Sequence, residues 1–165
     1  MKLFFKLAYF QLLWFLILYM ESPFIYFICL GSLALDWKFF SSHISLVKYV
    51  LFASSLTLGG ALIDLSFKNI GLISWDPSTF YPPALNQIWL IFPVYFDQVF
   101  VKFKKYPPVA FVLAFFAAPF AYISGSQLSS ISFDSSQTYL LAFFATIWGG
   151  YFVGLLVGYD RFIRS

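Results

Sequence analysis

Gly59-Gly60-Ala61-Leu62-Ile63-Asp64 lies late in one long apolar run, and Pro82-Pro83-Ala84-Leu85-Asn86-Gln87-Ile88-Trp89 opens the next. The passage between them holds turn formers: Asn69, Gly71, Ser74, Asp76, Pro77 and Ser78. If both runs cross a bilayer as consecutive helices, the carboxylate of the first and the amides of the second come to the same side. Composition requires that bilayer. Of 165 residues, 61% are hydrophobic and only 10% are charged, against about 25% charged in a soluble domain. Mean hydropathy is +0.84. So few charges cannot clothe a water-facing surface, and lipid must be the solvent for most of the chain.

Outward from this pair, six apolar segments emerge, near residues 3–20, 23–40, 44–67, 82–101, 107–124 and 137–159. Each approaches the ~20 residues that cross the hydrocarbon core. In hydrocarbon every backbone N–H and C=O needs an internal partner, and the alternation of a barrel is absent, so the segments are expected to be helices. The expected fold is an all-α, polytopic membrane helix bundle, a single transmembrane domain over 1–165. Alternate connections hold Lys2, Lys6, Lys38, Lys48, Lys102, Lys104, Lys105, Arg161 and Arg164, and the opposite side holds Lys68 alone. That nine-to-one bias predicts an even number of crossings with both termini cytoplasmic. The first segment imitates a signal peptide, but Tyr19-Met20-Glu21-Ser22-Pro23 has no small-x-small cleavage pattern, so retention as a helix is expected.

The third segment gathers Ala53, Thr57, Gly60, Ala61 and Asp64 on one face, which lets a neighbouring backbone approach closely. Two partner sets suit Asp64. Lys68, four residues on, is placed for an ion pair. Alternatively Asn86 or Gln87 holds Asp64 across the helix interface in a polar pocket, with Tyr122 of the fifth segment as a further candidate; an intramembrane carboxylate is a site candidate by default. The connection 68–81 carries Ile70, Leu72, Ile73, Trp75, Phe80 and Tyr81, which a free aqueous loop would not need, and reads as a structured cap. The serine-rich connection 126–137 reads as solvated. In the fourth segment, Pro93 frees the carbonyl of Trp89, so a kink and a substitute donor are expected. Asp97 and Gln98, lower in that segment, form a candidate inner polar site. Asp36, Trp37 and Lys38 are expected to reach water and the headgroup layer.

Small residues recur in the last two segments: Ala110, Ala114, Ala118, Ala121 and Gly125, then Ala142, Thr146, Gly150, Gly154 and Gly158. Gly150, Gly154 and Gly158 make two overlapping GxxxG spacings. The stripes predict close packing, either of these helices on each other or of the sixth helix in a homodimer.

Catalytic chemistry has little to stand on. His43 is the one histidine and Cys29 the one cysteine, so neither a multi-histidine metal site nor an intrachain disulfide can form. No Ser-His-Asp set or phosphate-binding glycine loop is present, and no cofactor is implied. The basic residues cluster at membrane edges, which gives nucleic-acid binding no support.

Several residues in order, namely Gln11 and Trp14, Gly60-Ala61-Leu62-Ile63-Asp64 with Gly71-Leu72-Ile73, Pro82, Trp89 and Phe92, and Ala118-Pro119-Phe120-Ala121-Tyr122 with Gly125, carry a resemblance over most of the chain. The chain resembles a family of small bacterial inner-membrane proteins known as a domain of unknown function. The resemblance implies a multi-pass protein of the bacterial cytoplasmic membrane. It also implies a setting beside fatty-acid-modifying enzymes. Where that family carries Asn, this chain has Asp97. The leading expectation is a non-catalytic component of membrane lipid metabolism that binds membrane lipid or docks a membrane-protein partner. The alternative is a small transporter, or a transporter subunit, using Asp64.

Overall fold

The computed structural model describes residues 2–39, 41 and 44–162; the side chains of residues 2–6, 97–101, 160 and 162 are outside the description. Six α-helices form a bundle: α1 (Lys2–Met20), α2 (Ile25–Phe39), α3 (Leu46–Asn69), α4 (Pro83–Val99), α5 (Pro107–Ser126) and α6 (Thr138–Phe162). They answer to the six expected segments. Among the described residues, three stretches are long and apolar enough to cross a membrane: Leu46–Asn69, Pro107–Ser126 and Thr138–Tyr159 within α6. This is an all-α membrane helix bundle.

Local sequence explains the boundaries. Ser45 caps α3, its hydroxyl accepting from the Lys48 N–H. Pro107 and Pro108 open α5, where the missing N–H groups cost nothing. The fourth segment stops at Val99, and a 3-10 turn, Phe100–Lys105, carries the basic residues round to α5. Gly71 turns the chain at φ +79°, a conformation that favours glycine.

Helix α4 is the centre. It packs against α1, α2 and α3, and its aromatic side chains meet α6 through Trp89–Trp148 and Phe92–Phe152. The small face of α3 receives it: a Cβ on Gly60 would overlap the Trp89 indole. Pro93 lies inside α4 and leaves the Trp89 carbonyl without its usual donor. The Thr57 hydroxyl stands 3.3 Å from that carbonyl and 2.9 Å from the Ala53 carbonyl, so its one hydrogen is shared between them.

The two outer connections are joined. Ile73–Ser74 (β1) pairs antiparallel with Ser132–Phe133 (β2), Ile73 opposite Phe133, and the Asp134 N–H donates to the Leu72 carbonyl. Leu72, Ile73 and Trp75 are buried, as a structured cap requires. The serine-rich connection is mostly exposed, as expected, with two apolar residues as exceptions. Ile131 is buried and Phe133, paired with Ile73, packs on the core.

Candidate functional site

Among the described residues Asp64 is the most enclosed carboxylate, with 0% of its surface exposed. Helix α3 presents it on the small face, so the groups that reach it come from other elements. Tyr81 of the cap donates its hydroxyl to Oδ2 at 2.6 Å, and the Trp89 indole N–H of α4 donates to the same oxygen at 2.8 Å. The Tyr122 hydroxyl of α5 donates to Oδ1. A carboxylate is an acceptor with two oxygens, and three donors satisfy it here without a cation. Lys68 lies elsewhere, its Nζ 4.1 Å from the centre of the Trp75 ring.

Two of these donors, Trp89 and Tyr122, also face a cavity of about 220 Å³. Phe10, Trp14 and Leu18 of α1 wall it on one side, and Ala110, Ala114, Ala118 and Ala121 of α5 on the other. Helices α4 and α6 floor it with Leu85, Ile88, Phe92, Trp148 and Phe152. From Ala110 to Gly125 it follows α5 for about 22 Å at the ~1.5 Å rise of a helix. We term this the slot. Its lining is hydrocarbon, and its hydroxyls are engaged elsewhere: Tyr122 with Asp64, Tyr151 with the Leu56 carbonyl, Ser126 and Ser129 with the Ile123 and Gly125 carbonyls. The Trp148 Nε1–H is buried with no hydrogen-bond partner among the described residues.

Against this geometry, the sequence profile described as Protein of unknown function (DUF2878) matches residues 3–153. The chain belongs to the DUF2878 family. No curated protein and no solved structure matches it. The matched span includes Asp64, its three donors and all of the slot's lining except Leu155. The DUF2878 description names no activity, so geometry alone bears on function.

In this DUF2878 chain, the four residues expected to form one polar pocket divide into three groups. Asp64 and Tyr122 meet directly. Asn86 turns instead to α2, its Oδ1 accepting from the Tyr26 hydroxyl at 3.1 Å. Gln87 donates to the Ser22 carbonyl at 2.9 Å, and its buried Oε1 has no hydrogen-bond partner among the described residues. Neither amide is among the donors to Asp64, because α4 turns Trp89 rather than those two towards α3. Asp97 and Gln98 fall in α4, and their side chains lie outside the described residues; so does His43.

The glycine stripe of the sixth helix makes no close approach to another helix among the described residues. A Cβ on Gly150, Gly154 or Gly158 would meet nothing within 4 Å. Helices α5 and α6 do pack together, but Gly149 makes the close approach, against Phe111. Ala110, Ala114, Ala118 and Ala121 of the α5 stripe line the slot.

Sequence reasoning passed over three participants. Tyr81 and Trp89 carry polar tips that need partners when buried, and a buried carboxylate without a cation needs donors; those two demands match. The third is Asp36, expected at the water interface. It is 3% exposed and accepts from the Tyr49 hydroxyl at 3.0 Å and the Ser41 hydroxyl at 3.4 Å. The start of α3 folds over the end of α2 and covers it.

Proposed function

We propose that this bundle holds a lipid-like molecule, with a hydrocarbon chain lying in the slot between α1 and α5. On this reading it serves membrane lipid metabolism in a bacterial cytoplasmic membrane as a binding or accessory component. The nine-to-one distribution of basic residues supports placing both termini in the cytoplasm. The slot itself carries the functional reading. An apolar cavity gives water no partners, whereas methylene groups gain dispersion contacts along both walls. The alanines of α5 leave the space, and Trp14, Phe10 and Phe92 give it a wide, rigid surface. Asp64 then acts as a positioning residue: it fixes Trp89 and Tyr122, which form part of the wall.

Mass spectrometry of protein purified in mild detergent tests the reading. Enriched lipid is expected with the native chain, and Ala114→Trp or Ala118→Trp, which fill the slot, should remove it. No enriched lipid with the native chain, or undiminished lipid in both variants, rejects the slot as its site.

A second reading, a small transporter that works through Asp64, draws on the same sharing of Trp89 and Tyr122 between carboxylate and slot. Flux into proteoliposomes decides it. Uptake unchanged by Asp64→Asn would remove the carboxylate from any coupling role.

A further inference from the structure

A second feature lies at the opposite end of the bundle from the cap, where the 3-10 turn leads into α5. There Lys104 and Lys105 of the turn and Arg161 near the end of α6 border one groove of about 470 Å³. Its floor is apolar: Val153, Leu156 and Val157 of α6. The cations come from segments far apart in sequence, so the fold, and not local composition, assembles them. In residues 100–107 and 159–165, five cations stand against one acid, Asp160.

We propose that this groove binds the phosphate-bearing headgroup of an anionic membrane lipid, independently of the slot. Depth and shape argue for a lipid. The apolar run of α6 ends at Tyr159, before Asp160 and Arg161, so the groove straddles the passage from hydrocarbon to headgroup. Long basic side chains at that depth keep their stems in the apolar layer and their charges among headgroups. An anionic headgroup meets the exposed charges of Lys105 and Arg161, with Lys104 beside them, and the first part of its chain covers Val153 and Val157. Free phosphate would leave that floor bare. Basic residues at a membrane surface each add attraction for anionic lipid, and salt weakens it.

The test titrates the full-length protein in detergent with short-chain phosphatidylglycerol, with phosphatidylcholine of the same chains, and with inorganic phosphate, read by native mass spectrometry. Phosphatidylglycerol should bind at least tenfold tighter than phosphatidylcholine. The triple variant K104Q/K105Q/R161Q should lose at least tenfold, K104R/K105R/R161K should keep the preference, and millimolar phosphate should not displace the lipid. The preference for phosphatidylglycerol over phosphatidylcholine should persist in Ala118→Trp, whose slot is filled, which separates the groove from the slot. Equal affinity for the two lipids, or a triple variant that binds like the native chain, overturns the proposal. So does displacement by phosphate, which would make the groove a site for the free anion. If the triple variant fails to fold, K105Q and R161Q at these exposed positions serve instead; each should weaken phosphatidylglycerol severalfold, and no effect from either is equally decisive.

Discussion

Asp64 illustrates how a single residue can commit its neighbours. Its two oxygens gather donors from the cap, from α4 and from α5, so one carboxylate ties three elements to α3. Asp64→Ala would strand three buried donors, at roughly 1–3 kcal/mol each. Release from burying a carboxylate offsets part of that, so a net loss on the order of 3 kcal/mol is expected, visible as a lower unfolding temperature in detergent. Tyr81→Phe deletes one donor and leaves two, and should cost about 1–2 kcal/mol. If Tyr81→Phe destabilises as much as Asp64→Ala, the cap and not the carboxylate organises this corner. Asp76 and Asp134 are different. Both are exposed, and the Ser78 backbone N–H and hydroxyl lower the Asp76 carboxyl below the usual range, while Ser136 does the same for Asp134. A lowered folded-state pKa gives stabilisation that is complete above the ordinary aspartate value near ~3.9 and is lost as pH falls through the lower one. The amides of Ser78 and Ser136 should therefore be less protected from hydrogen exchange at pH 3 than at pH 5, after correction for intrinsic rates.

Among the helices, the use of small residues is set by what lies opposite. Gly60 admits Trp89, and Gly149 admits Phe111. Gly60→Ala forces the indole or the backbone to move and should cost about 1–3 kcal/mol, as overpacking does. Gly154→Ala meets nothing within 4 Å among the described residues and should change unfolding in dilute detergent by less than about 1 kcal/mol. Equal losses from the two would contradict this packing. The alanines of α5 resemble those glycines in size only. They are small beside an opening, so enlarging them fills the slot. The cap is an element of its own, since a two-residue strand from each outer connection pairs with the other and neither could persist alone. The Glu21 carboxylate accepts from the backbone N–H and hydroxyl of Ser130 and ties the end of α1 to the same cap.

At the scale of the whole molecule, α4 is the axis and the slot opens where α1 and α5 stand apart across it. Reporter fusions should place Lys104 and Ser130 on opposite sides of the membrane. Reporters on the same side would undo the depth of every polar residue discussed above.

How much of this was open to a reader of the chain alone follows from the range of the forces. Immersion in lipid, the six helices and the small face of α3 are set by composition and by periodicity within single segments, so they were legible in order along the sequence. The prominence of Asp64 was legible too, because an ionisable group in an apolar run is conspicuous by itself. Its partners were not. Asn86 and Gln87 lie on the segment that packs against it, yet the rotation of α4 about its axis sends them to Tyr26 and Ser22 and brings Trp89 to the carboxylate. Nor could the alanines of α5 disclose that they line a slot. A small side chain specifies room without specifying what occupies it, and only the placement of α1, α4 and α6 around α5 decides that.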